Sequence, residues 1–142
     1  MRAVICRAWG EVDSLRVEEI APPAPADDEV LIDVRATAVN YADSIMVAGR
    51  YQTRPPFPFS PGIETAGIVA RCGPDVTRFR PGDRVMATLA YGGLAEQAVA
   101  KEAETFAVRP AALEQAAKTA QIGANEFDTE PRIGGFSNAD RR

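Results

Sequence analysis

The 142-residue chain contains no histidine and only two cysteines, Cys6 and Cys72. A catalytic zinc site draws three protein ligands from His, Cys, Asp and Glu, and a structural site commonly needs four thiolates or imidazoles. With no imidazole and only two thiols the four-ligand structural set cannot be made and the catalytic set lacks its usual donor, so zinc is not expected. The two cysteines stand far apart in a chain whose start, MRAVICRAWG, has no secretory-leader pattern, so reduced, buried thiols are expected in place of a disulfide. No stretch of eighteen apolar residues occurs. A cytoplasmic location without membrane partners follows as an expectation. Basic residues number 16 against 20 acidic ones, for a net charge of −4, and no dense Lys/Arg run is present. That balance offers no general attraction to a phosphate backbone and excludes nucleic acid as an expected partner. Internal repeats and low-complexity tracts are also missing.

What is there is an ordinary globular composition, 46% hydrophobic and 25% charged, with length enough for one packed core. Short β-type runs dominate. RAVIC (2–6) and LRVEE (15–19) flank the turn-forming WGEVDS and predict a hairpin. After the proline-rich APPAPADDE, Val30, Ile32, Val34 and Ala36 alternate with Leu31, Asp33 and Arg35, which predicts a strand with one apolar face. Asn40 or Asp43 can cap a two-turn helix from Tyr41 to Ala48, with Gly49 stopping it in the left-handed conformation.

The next twelve residues, YQTRPPFPFSPG, hold four prolines and must run as an extended, loop-like path. ETAGIVA then resumes as strand, Pro81-Gly82 makes a turn, and Arg84–Ala87, AEQAVA and ETFAVRP add strands. AALEQAAKTA switches to helical composition, and the residues after Thr119 show no period. About seven strands and two short helices predict a mainly β domain, a small barrel or sandwich.

AVNYADSIMVAGRYQTRPPFPFSPGIETAGIV, followed by PGDRV and YGGLAEQAV, resembles the catalytic domain of medium-chain dehydrogenases/reductases, most closely the NADPH-dependent quinone oxidoreductases and related enoyl reductases. The resemblance covers residues 1 to about 117 and leaves 118–142 as an atypical tail. It implies a GroES-like, partly open β-barrel facing a separate Rossmann domain. Zinc-dependent members carry Cys-His-x-Asp where this chain has Asn40-Tyr41-Ala42-Asp43, and Gly-His-Glu where it has Gly62-Ile63-Glu64, which places the chain in the zinc-free branch. That branch transfers hydride from NADPH to a quinone or an activated double bond. By resemblance, Asn40, Tyr41 and Asp43 belong to the cofactor side, and Asn40 and Tyr51 to the catalytic side. A tyrosine that some members carry is replaced here by Ile45.

Simpler roles exist for the same residues. Asn40 with Asp43 has the spacing of a helix capping box. Tyr41 and Tyr51 can be half-buried aromatics. Glu64 can be a strand-edge carboxylate paired with Arg50 or Arg54, and Gly62 and Gly67 can answer backbone needs. No G-x-G-x-x-G follows a strand anywhere in the chain, so the pyrophosphate-binding turn of a dinucleotide domain is absent and NADPH is not expected to bind tightly. The substrate half of a reductase, with weak self-association through an uncovered domain interface, is one expectation. A stand-alone, non-catalytic binding module is the alternative. A co-chaperonin of the same fold would leave the Asn40–Asp43 and Pro61–Gly67 motifs unexplained. The composition makes a direct prediction: elemental analysis of the purified chain should find no stoichiometric zinc, and one zinc per chain surviving chelation would contradict the zinc-free assignment.

Overall fold

Seven strands build the structure, a computed structural model that describes residues 1–108. The strands are β1 (Arg2–Ile5), β2 (Arg16–Glu19), β3 (Glu29–Ala38), β4 (Glu64–Cys72), β5 (Arg84–Thr88), β6 (Gln97–Lys101) and β7 (Thr105–Ala107). One helix, α1 (Tyr41–Val47), lies between β3 and β4. β1 and β2 form the expected antiparallel hairpin, and the other five make one antiparallel sheet in the order β6-β3-β4-β5-β7. That sheet curls into a half-barrel, the mainly β architecture expected of a GroES-like domain. The helix expected from Ala111 and the proposed boundary at residue 117 lie outside the described residues.

The alternation legible in the sequence carries through in β5, where Val85 and Ala87 are buried while Arg84, Met86 and Thr88 are exposed. β6 does the same with Ala98 and Ala100. These four side chains join Val30, Ile32, Val69, Phe79 and Leu89 in the principal core.

β3 departs from strict alternation. Leu31 is buried like its neighbours, on the face expected to be more polar, and it lines a depression with Pro22, Pro23 and Ala24. Two register irregularities in the β3–β4 pair, between Leu31 and Ile32 and between Val34 and Ala36, bend the sheet. Gly67 sits opposite Val34 at the second, and a Cβ there would come within 2.1 Å of the Asp33 carbonyl oxygen. Only glycine lets the two backbones approach so closely.

Three short 3₁₀ or loop features go beyond what the sequence predicts. Val12–Ser14 and Glu102–Glu104 form single 3₁₀ turns, and the proline-rich stretch is anchored rather than merely extended. Phe59 exchanges both backbone hydrogen bonds with Cys6, at 2.8 and 3.1 Å, making an isolated antiparallel bridge. Cys6 itself is buried with a free thiol, which burial pushes above its ordinary pKa, and Cys72 is free and half-buried. No helix among the described residues is long and apolar enough to cross a membrane.

The close approach at Gly67 can be tested. Gly67→Ala should lower stability by about 3 kcal/mol because the methyl group must push β3 and β4 away from each other. Gly10→Ala, whose Cβ would meet only Ser14 Oγ at 3.8 Å, should stay within about 0.5 kcal/mol of the parent in urea denaturation.

Candidate functional site

Asn40 and Asp43 meet the turn before β4 at the start of α1, with Tyr41 beside them, whereas Tyr51 packs against the cluster of Cys6, Met46, Val47 and Phe59. Asn40 is the N-cap, with extended backbone (φ −110°, ψ 156°), and Tyr41 opens the helix. Met46 and Val47 point into a second core with Cys6 and Phe59, against which Tyr51, Leu15 and Ile63 pack. One face of α1 is thereby committed to the interior. Tyr41, Ser44, Ile45 and Ala48, at helical spacing on the other face, line a groove of about 450 Å³ with Gly10, Glu11, Val12 and Arg50. The half-buried reading therefore holds for Tyr51 but not for Tyr41, which is 82% exposed. Val39, just before the cap, is 77% exposed.

Asp43 is the buried member of the set, 4% exposed. Its Oδ2 accepts the Asn40 backbone N–H at 2.8 Å, and its Oδ1 accepts the Gly62 backbone N–H at 2.9 Å. One carboxylate thus caps α1 and holds the turn that carries Ile63 and Glu64. The capping-box arrangement expected from the spacing is present, with the Asp43 N–H itself donating to the Asn40 backbone carbonyl at 3.0 Å. With both oxygens engaged and little exposed surface, Asp43 acts on the site through position.

The same turn is fastened from its other side. Gly93 and Leu94 donate to the carbonyls of Gly62 and Pro61, each at 2.9 Å, and Leu89 donates to Ile63 at 2.7 Å. Gly62 adopts φ +102°, and a Cβ on it would lie 2.6 Å from the Leu94 nitrogen. The backbone need expected for Gly62 is real, and its cause is this pairing with the 92–94 segment.

Glu64 does not pair with Arg50 or Arg54. Its carboxylate Oε2 instead accepts from Asn40 Nδ2 at 3.2 Å, while its backbone carbonyl accepts from Thr37 Oγ1 at 2.7 Å. The Asp43 tie places Asn40 and the 62–64 turn side by side, which is why an amide is nearer to Glu64 than either arginine. Sequence reasoning also missed an aromatic run. Trp9 meets Phe57 at 4.5 Å and Phe59 at 5.8 Å between ring centroids, and Phe59 meets Tyr91 at 6.2 Å. The signal was the pair of phenylalanines interleaved with prolines in PPFPF, which can only serve packing once Cys6 has fixed Phe59. Among the described residues, no three His, Cys, Asp or Glu side chains gather into a group that could hold a metal ion.

Residues 26–110 match the alcohol dehydrogenase GroES-like domain. The chain belongs to that family. Within it, the chain is 37% identical over 98 residues to quinone oxidoreductase-like protein 2 of Rattus norvegicus, a match covering 69% of this chain and 27% of the relative. The crystal structure of human synaptic vesicle membrane protein VAT-1 homolog-like protein superposes with TM-score 0.73 and 34% identity, covering 78% of this chain and 35% of the other. That of Escherichia coli quinone oxidoreductase complexed with NADPH gives TM-score 0.73 and 26% identity, covering 78% and 34%. The chain spans about a third or less of the length of these relatives.

For this GroES-like domain, the Asp43 tie predicts a measurable cost of removal. Asp43→Ala should lose about 2–4 kcal/mol of stability, since it leaves the Asn40 and Gly62 N–H groups without their acceptor. Exposed Glu104→Ala should change stability by less than about 0.5 kcal/mol in the same denaturation series.

Proposed function

We propose that this domain is the substrate-side half of a zinc-independent, NAD(P)H-dependent reductase acting on a quinone or an α,β-unsaturated carbonyl, and that the 142-residue chain alone is inactive. The observation that carries this reading is the meeting of two family motifs at one exposed polar pair. Asn40 and Glu64 lie in contact, flanked by Val39 and Tyr41, whose apolar surface is largely open. Exposed apolar side chains around a fixed polar group suit a face that a ligand or a second domain covers.

The residues present fit the nicotinamide end of the cofactor and not its pyrophosphate. Asn40 stands at the start of α1 with its Nδ2 donating to Glu64 Oε2, a polar group that could meet a carboxamide edge, and Tyr51 packs against the core beneath α1. A Gly-rich turn opening a helix, which would supply phosphate-binding N–H groups, is absent from the sequence. When bound, the reduced nicotinamide supplies the hydride. This chain's role would be to orient: Asn40 would meet the nicotinamide, Asp43 holds Asn40, and Tyr51 packs beneath α1.

Affinity and alignment both argue for inactivity of the chain by itself. A micromolar dissociation constant corresponds to roughly 8 kcal/mol, and losing half of that leaves about millimolar binding. Hydride transfer also needs its reacting carbons held about 3–3.5 Å apart, which takes two walls. NADPH oxidation with quinones and enones should therefore be undetectable with the chain alone and appear on mixing with a Rossmann domain from a related reductase. Turnover by the isolated chain that Asn40→Ala or Tyr51→Phe abolishes would refute the half-enzyme reading.

A further inference from the structure

We infer that the outer edge of β2 is a self-pairing surface, and that two copies of this chain associate by joining their β2 strands antiparallel about a two-fold axis through Val17. The surface shares no residue with the Asn40–Glu64 pair, and the inference is independent of the proposed reductase reading.

β2 is held on one side only. The Met1 amino group donates to the Ile20 carbonyl at 2.8 Å, and the Ile20 N–H donates back to the Met1 carbonyl at 2.9 Å. Bonded and non-bonded pairs alternate along an antiparallel ladder, so the β1–β2 register assigns the bonded pairs to Ala3–Glu18 and Ile5–Arg16. The backbone groups of Val17 and Glu19 therefore point away from β1. Their cross-strand neighbours agree, since the Val4 N–H donates to Leu94 and the Arg2 carbonyl accepts from Glu96, both on the far side of β1. Among the described residues no strand pairs with the outer edge of β2. Edge strands are commonly protected by proline, lysine or a bulge. Arg16–Glu19 has none of these, and Val17 is 69% exposed.

That edge complements itself in one register. A two-fold axis perpendicular to the sheet sets side chains of the same face opposite each other, so it passes through a residue, and that residue needs outward-pointing backbone groups. Centring on Glu19 would put two carboxylates face to face. Centring on Val17 lets the two Val17 residues exchange both N–H···O bonds and sets each Arg16 opposite Glu18 of the other copy. Leu15, at the same phase of an extended backbone (φ −64°, ψ 144°), can offer its carbonyl to the Glu19 N–H of the other copy. Among the described residues Arg16 binds carbonyls and no carboxylate: its Nη1 donates to Asp13 and Leu15 at 2.7 Å each, which leaves Nε and Nη2 for a partner. Glu18 already holds Arg7 and has oxygen lone pairs for a second guanidinium, while Glu19 lies across from Arg2. Val17 also lines an apolar groove of about 410 Å³ with Val4, Val34, Ala36, Leu94 and Ala95. Pairing sets the second valine on the same face, so this apolar lining continues across the axis.

The test uses the full chain. Sedimentation from about 10 μM to 1 mM should show monomer passing reversibly into dimer, weakly because the paired strand is four residues long. Amide exchange over the same series should show the Val17 and Glu19 N–H groups gaining protection with concentration, while those of Arg16 and Glu18, already bonded within the hairpin, stay unchanged. A chain that remains monomeric, or a dimer that leaves the Val17 N–H unprotected, would overturn the proposal. Val17→Lys, which sets two ammonium groups across the axis, should weaken association about tenfold or more. Arg16→Glu and Glu18→Arg should each weaken it about tenfold by placing like charges opposite each other, yet the two variants mixed should pair with each other within about threefold of the parent affinity. Variants that associate like the parent, or a mixture no tighter than either variant alone, would assign the contact to another face and overturn the axis at Val17. If Glu18→Arg loses its fold with the Arg7 bridge, Val17→Lys and the Val17 exchange still decide.

Discussion

The site depends on one buried carboxylate. Asp43 receives an N–H from the residue that begins the helix and another from the turn that begins β4, the latter nineteen positions away in sequence. A buried carboxylate is tolerated only where its lone pairs are satisfied, and here the satisfaction is supplied by backbone groups that would otherwise be unpaired at a helix start and a tight turn. The same pair of bonds that makes Asp43 acceptable inside the protein therefore fixes the distance between Asn40 and Glu64. Stability and site geometry have one cause.

Around this tie the chain is arranged to leave little slack. The 92–94 segment pairs with Pro61 and Gly62 from the side opposite Asp43, and the positive φ of Gly62 is what allows that pairing. Phe59, locked to Cys6, fills the second core beneath α1 with Met46 and Val47. A loop with four prolines has few conformations to lose, and it is seated by the two hydrogen bonds at Phe59 together with those at Ser60, Pro61 and Gly62. The groove along the outer face of α1 is thus bounded by elements that are themselves held at several points.

Membership of the alcohol dehydrogenase GroES-like family accounts for the half-barrel and for the placement of the Asn40–Asp43 and Gly62–Glu64 motifs beside each other. The particular chemistry proposed for the site comes from the residues found there. Asn40 and Glu64 make a neutral donor facing a carboxylate, and in the proposed reading this polar pair meets a ligand by hydrogen bonding. Such a pair suits a reaction in which a bound cofactor carries the reactivity and the protein contributes orientation.

Local patterning alone determined the strands, the two-turn helix, the pair Asn40 and Asp43 from which its cap is drawn, and its stop at Gly49, whose φ is +70°. These features rest on side-chain alternation, capping spacing and conformational freedom within a few residues, all of which are visible in a linear sequence. Tertiary structure alone decided the partners. Leu31 is buried beside a depression that the proline-rich segment also lines, Tyr41 is exposed because Met46 and Val47 claim the inner face of α1, and Glu64 meets an amide instead of an arginine because Asp43 draws the helix start against its turn. Each of those outcomes is set by contacts between residues distant in the chain, and no periodicity or composition records which distant segments will meet.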